Sequence, residues 1–276
     1  MRSSRPKWVH IISVGTSLLA NFERFEPKLA ENLGVTGWSR AGPDDEIQEL
    51  AMSRANRGDR VFNELLRFLS KDPRKHSAEL NAFLRYAGLN SHEPPRDVGI
   101  LLYSTDTGTC YLCASVIHEY LSSEGYTMLS PKPIRVEGLG KSEVVFDDTL
   151  ANLLDKVVTK IIDWSRKGVP VYINATGGFK AETQFLVIAA SIAGARAAYY
   201  IHETFKDVVE LPLPPLKIHE GLEKIIRKFK EAGPLNRREF EELCYQVGLD
   251  PAELECERKL IVNLRPRKWL LKLIKY

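Results

Sequence analysis

The sequence predicts an α/β fold, a doubly wound, mostly parallel Rossmann-like sheet with a helical insertion and a small C-terminal module. Two observations carry that prediction. Three short, almost wholly apolar runs, at 8–14 (WVHIISV), 98–103 (VGILLY) and 169–173 (VPVYI), each end in a turn rich in Gly, Ser, Thr, Asp or Asn and lead into apolar residues at helical spacing. Strands apolar on both faces, each followed by a helix, belong to a parallel sheet covered on both sides. The chain also has the material for it, with 276 residues, 44% of them hydrophobic and 27% charged.

In chain order, the first strand ends at Gly15-Thr16-Ser17, and Leu18, Leu19, Phe22 and Phe25 continue as a helix. Residues 39–96 are charged and helix-patterned, with Leu65, Phe68 and Leu69 and then Leu80, Phe83 and Leu84 on apolar faces, and they close at Pro94-Pro95. The second strand ends in Ser104-Thr105-Asp106-Thr107-Gly108 before a helix with Leu112, Val116, Ile117, Tyr120 and Leu121 on one face. Residues 144–164 read as an amphipathic crossover helix. The third strand ends in Asn174-Ala175-Thr176-Gly177-Gly178 and opens Phe179-Lys180-Ala181-Glu182, and 196–202 resumes as a strand. The Pro-rich stretch 211–216 reads as a linker, because proline continues neither a helix nor a central strand. Residues 1–210 thus form the sheet domain, with its insertion at about 39–96. Residues 217–276 form a winged-helix-like module whose second helix is capped by Asn236.

Composition narrows the function classes. Lys and Arg exceed Asp and Glu by 39 to 36, a net charge of +3, so the chain as a whole is not a polycation for coating nucleic acid. Four scattered cysteines form no disulfide framework and point to a reducing cytoplasm. No apolar run approaches the ~18 residues of a membrane span, and the N-terminal run is too short for a signal segment. A soluble cytoplasmic protein without membrane contact is expected.

In an open parallel sheet, ligands bind beyond the carboxyl ends of the strands, so the three strand-to-helix turns are the candidate site. Gly15, Thr16 and Ser17 offer flexible backbone and hydroxyls. Thr105, Asp106 and Thr107 offer a carboxylate between hydroxyls. Thr176, Gly177, Gly178, Phe179 and Lys180 combine close backbone approach, free N–H groups at a helix start and a full positive charge, the makings of an anion cradle. Each turn taken alone also reads as an ordinary helix cap. Neither G-x-G-x-x-G after the first strand nor G-x-x-x-x-G-K-[ST] is present, which weakens dehydrogenase and ATPase readings.

The segments ISVGTSLL (12–19), HSAELN (76–81), LLYSTDTGTCYLCASVIHEYL (101–121) and INATGGFKAE (173–182) resemble the CRISPR-associated Rossmann-fold (CARF) proteins, and within them the archaeal stand-alone group that includes the ring nucleases. The resemblance spans residues 8 to about 205. It implies a two-fold homodimer whose crevice binds a cyclic oligoadenylate, with cyclic tetra-adenylate expected. It further implies metal-independent cleavage of that ring to linear di-adenylate with a 2′,3′-cyclic phosphate, which switches off type III CRISPR signalling. No cofactor and no metal are implied. On this reading Lys180 and the N–H groups of Gly178 and Phe179 stabilise phosphoryl charge. Ser17 either orients the attacking 2′-hydroxyl or binds a phosphate oxygen, and Thr16, Asp106, Thr107, Asn174 and Thr176 bind ribose or adenine. With no histidine in the turns, a modest rate without a dedicated general base is expected.

The alternative is a cyclic-oligoadenylate-sensing DNA-binding regulator without nuclease activity. The stretch 258–276 has seven Lys or Arg residues and no acid, so it could contact DNA. Arg196 and His202 have the spacing of a HEPN ribonuclease motif, but the residues between them read as strand. Cys110-x-x-Cys113 at a helix start could be a redox pair, yet the helical stripe buries at least one of the two.

Overall fold

The computed structural model describes residues 5–138, 146–177, 180–202 and 207–274, with 146 and 180–182 in backbone only. The chain opens with β1 (Trp8–Val14) and α1 (Ser17–Phe25), followed by α2 (Pro27–Asn32), α3 (Ile47–Ser53), α4 (Arg60–Lys71), α5 (Pro73–His76) and α6 (Ala78–Leu89). Then come β2 (Val98–Ser104), α7 (Gly108–Ser123) and the two-residue strands β3 (Thr127–Met128) and β4 (Ile134–Arg135). The predicted crossover helix is α8 (Phe146–Leu153) joined through a wider π turn at Leu154–Val158 to α9 (Thr159–Arg166). β5 (Val171–Asn174), α10 (Lys180–Ile192), β6 (Ala197–Ile201) and β7 (Val208–Pro212) complete the sheet.

The sheet is ordered β3-β2-β1-β5-β6-β7, with β4 also on β2. Every pairing is parallel except β6 with β7. The chain leaves β1 toward β2 on one side and returns to β5 on the other, so the strand order reverses between β1 and β5. Crevices open at such a reversal, beyond the strand ends. One face of the sheet, with Ile12, Val14, Ile100 and Leu102, packs on α1, α4, α6 and α7; the other, with Val9, Ile11, Leu101 and Ile173, packs on the α8–α9 helix and α10. This is the doubly wound, mostly parallel architecture that the alternating pattern predicts.

The insertion is helical as expected, and its helices begin where side chains satisfy free N–H groups. Asp59 accepts from Val61 N and Phe62 N to start α4, and Ser77 accepts from Leu80 N to start α6. The linker reading needs correction at its start, since Leu211 and Pro212 pair with Ala198 and Ala197 as the end of β7. Proline is tolerated there because β7 is an edge strand and Pro212 is its last residue.

After the sheet come α11 (Glu220–Ala232), α12 (Arg237–Gln246), a short helical turn at Glu253–Glu257, the hairpin β8 (Ile261–Val262) with β9 (Arg265–Pro266), and α13 (Lys268–Leu273). Asn236 and Glu239 form a reciprocal cap on α12. Ile225, Ile226, Phe240, Ile261 and Leu270 share an apolar cluster. Helix α13 also lies along α8, where Arg267, Lys268 and Lys272 pair with Asp147, Asp148 and Asp155. Among the described residues, no helix is long and apolar enough to cross a membrane.

Candidate functional site

A cleft of about 320 Å³ lies at the carboxyl ends of β1, β2 and β5. Its lining includes Gly15, Thr16 and Ser17 after β1, Thr105 and Thr107 after β2, and Thr176 and Gly177 after β5. Seven of the residues singled out in the sequence therefore share one cavity. Its remaining walls come from the insertion, as Ser39, Ala41 and Pro43 before α3 and Ala78 and Glu79 at the start of α6, with Thr109 and Cys110 from α7.

Sequence reasoning missed Glu79, the group that organises the cleft. It is 1% exposed. Its Oε1 accepts from Gly15 N at 3.0 Å, and its Oε2 accepts from Ser17 Oγ at 2.5 Å and from Ser77 Oγ at 2.8 Å. Three donors satisfy a buried carboxylate, and its place in the first turn of α6 sets the negative charge against the positive end of the helix dipole. Ser17 in turn accepts from Ala78 N at 3.1 Å. Its hydroxyl is thus drawn across to α6 rather than folded back to cap α1.

Gly177 packs against the same carboxylate. A Cβ there would lie 2.6 Å from Glu79 Oε1, 2.9 Å from Ser13 O and 3.0 Å from Gly15 N. The glycine is needed so that the β5 turn can approach the β1 turn, whereas its sequence reading rested on approach to a ligand. Thr176 Oγ1 is buried and has no hydrogen-bond partner among the described residues, leaving a polar atom in the cleft wall for a ligand to satisfy. Thr16 Oγ1 donates to Ser39 O at 3.1 Å, and Thr105 and Thr107 bond each other at 2.7 Å.

Two predicted contacts lie elsewhere. Asn174 is fully buried; its Nδ2 donates to Glu79 O and its Oδ1 accepts from Thr176 N. Nδ2 ties β5 to α6 and Oδ1 closes the β5 turn on itself, so the amide braces the site rather than lining the cleft. Asp106 turns away into a neighbouring hollow, where its carboxylate pairs with Arg135 Nε at 2.8 Å and accepts from Gly138 N. Gly178, Phe179 and the side chain of Lys180 lie outside the described residues, and Lys180 is the first residue of α10.

The α7 helix start is closed by the insertion. Gln48 Oε1 accepts from Thr109 N at 3.0 Å and from Thr109 Oγ1 at 3.2 Å, and a Cβ on Gly108 would run into Gln48 O. Burial pushes both the Cys110 and Cys113 thiols up from the ordinary range, the opposite of an activated redox pair. Among the described residues, no group of three or more His, Cys, Asp or Glu is placed to hold a metal ion.

A family model described as CRISPR-associated protein (Cas_APE2256) matches residues 74–214. The matched range runs from α5 through β7 and contains Glu79, the β2 turn and the β5 turn.

Proposed function

The chain belongs to the Cas_APE2256 family of CRISPR-associated proteins, and on that premise we propose that it is a metal-independent ring nuclease for a cyclic oligoadenylate. The ligand is cyclic tetra-adenylate, cut by 2′-hydroxyl attack to linear di-adenylate carrying a 2′,3′-cyclic phosphate, and the consequence is an end to type III CRISPR signalling. The observation that carries this reading is the meeting of the β1, β2 and β5 turns in one cleft rimmed by hydroxyls and backbone, with the α10 helix start and Lys180 at the end of the β5 turn.

In a ring of 3′,5′-linked adenylates each 2′-hydroxyl sits beside the phosphodiester it attacks. Cleavage therefore needs in-line alignment and stabilisation of charge on phosphoryl oxygens, both of which positioned side chains and a helix start supply. A cleft of about 320 Å³ is at the small end for ligand sites, suited to one adenylate and its phosphate. Two clefts related by a homodimer's two-fold would take a symmetric ring of four and cut it at opposite bonds. Against the DNA-binding alternative stands the pairing of Arg267, Lys268 and Lys272 with aspartates of the α8–α9 helix, which takes up three of the cations in the basic tail.

The test is incubation with radiolabelled cyclic tetra- and hexa-adenylate, with and without EDTA, for wild type, Lys180→Ala and Ser17→Ala. Conversion of the tetramer in EDTA is expected, slowed ~100-fold or more by either substitution. Intact ring after prolonged incubation with saturating protein would overturn the nuclease reading and leave a sensor.

A further inference from the structure

We propose that Glu79 is a positioning residue that also takes the proton released in ring opening, acting through Ser17 as a serine–carboxylate relay. The inference rests on the reading of the cleft as a cyclic oligoadenylate site, and it supplies the general base that the turn sequences lack.

The argument is one of hydrogen-bond accounting. A serine hydroxyl has one hydrogen and two lone pairs. In Ser17 the hydrogen points to Glu79 Oε2 at 2.5 Å and one lone pair accepts from Ala78 N. What remains for the cleft, which Ser17 lines, is a single lone pair. Ser17 therefore meets a ligand as an acceptor. A phosphodiester oxygen is also an acceptor and gains nothing from it, and the Glu79 carboxylate behind Ser17 repels an anion. A ribose 2′-hydroxyl is a donor and fits. Of the two roles the sequence leaves open for Ser17, the hydrogen-bond directions select the one that orients the nucleophile.

The same chain of bonds provides a route for the proton. As the 2′-oxygen forms its bond to phosphorus, its hydrogen passes to Ser17 Oγ and the Ser17 hydrogen passes to Glu79 Oε2. The bond from phosphorus to the 5′-oxygen breaks with its electron pair, and that oxygen takes a proton from water. Glu79 then returns its proton to solvent, so the step is a proton-neutral transesterification. The Gly15 and Ser77 donors hold the carboxylate in line with Ser17. Among the titratable groups that face Glu79 are the Cys110 and Cys113 thiols of α7, kept neutral by burial.

The decisive variant is Glu79→Gln, which preserves shape and removes the proton acceptor. Its dissociation constant for cyclic tetra-adenylate should stay within a few-fold of wild type, while the single-turnover cleavage rate falls ~100-fold. The wild-type rate should decline toward acid pH, and that limb should vanish in Glu79→Gln. Ser17→Ala, a small change at a part-exposed position, should abolish the same limb with Glu79 intact. The double variant should be no slower than the slower single, because both cut one relay. Wild-type cleavage in Glu79→Gln, an acid limb that survives Ser17→Ala, or equal losses of binding, rate and melting temperature in Glu79→Gln would each overturn the relay. If wild type itself leaves the ring intact, the nuclease reading falls and takes the relay with it. If wild type cleaves and the variants match it, the relay alone falls.

Discussion

Helix α6 carries two buried polar clusters, one at its first turn and one along its body. At the first turn, Glu79 collects Ser17, Ser77 and the Gly15 amide, and the cluster opens on the cleft. Farther along, Tyr86 stacks on Tyr199 at 4.0 Å and donates to Glu210, while His10 bonds Tyr199 at 2.9 Å and His92 at 3.0 Å. Rings of Trp8, Phe83 and Tyr172 close over the histidines. The second cluster has more titratable groups, and their acidity is displaced. Burial pushes His10 well below the usual imidazole range and His92 down to about 4, and it raises the Tyr86 and Tyr199 phenols. Yet none of these residues lines the cleft. Perturbed acidity alone does not mark a site. What separates the two clusters is whether a free lone pair reaches an open cavity.

The sharpest way to break that comparison is Gly177→Ala, for which the largest effect is expected. The added methyl would sit 2.6 Å from Glu79 Oε1 and close to two backbone atoms, so either the β5 turn or the carboxylate must move. Overpacking of this kind costs about 1–3 kcal/mol, and thermal melting should show it. Because displacement of Glu79 also releases Ser17, cleavage of the cyclic tetra-adenylate should fall further than stability does. A variant that melts lower but cleaves at the wild-type rate would show that the Glu79 cluster is a structural brace like its neighbour.

How much of this was legible in the sequence follows from the range of the forces involved. The strand ends were legible because apolar runs and turn residues are local signals, and seven of the predicted residues do share the cleft. Glu79 was not, since it reaches Ser17 across 62 residues and an acid in the first turn of a helix ordinarily reads as a partner of the helix dipole. Gln48 of α3, which reaches the start of α7 across 61 residues, is hidden in the same way. The resemblance assigns Asn174 to ribose or adenine, but its side chain turns under α6, a matter of strand facing that a four-residue run does not fix. Leu211 and Pro212 read as linker because a central strand excludes proline, but β7 is an edge strand and tolerates it.

The histidine cluster makes a prediction for stability that leaves cleavage untouched. Above about pH 6.5 both imidazoles are neutral whether the chain is folded or not, so they contribute no pH dependence. As pH falls from there to about 4, the unfolded chain binds protons that the buried rings cannot. Stability should then drop by up to ~1.4 kcal/mol per pH unit for each histidine. Below about 4 His92 is protonated in the folded chain too, and its share of the loss stops growing. Urea unfolding at pH 7 and pH 5 measures the slope, and His92→Gln should make it shallower. The acid limb of ring cleavage, which belongs to the other cluster, should be the same in His92→Gln as in wild type. A changed limb would mean that the two clusters are coupled through α6.

The smallest effect is expected from Tyr86→Phe. The ring, 2% exposed, would keep its stack on Tyr199, and the substitution removes the hydroxyl that donates to Glu210. Glu210 lies on the edge strand β7 and is itself exposed, so water replaces the lost donor and no buried charge is left unpaired. A cost of about 1 kcal/mol is therefore expected in urea unfolding, with the cleavage rate unchanged. A loss of several kcal/mol would mean that Glu210 is less accessible than its position implies. A loss of cleavage at unchanged stability would mean that the tilt of α6, set at Tyr86, governs where Glu79 meets Ser17.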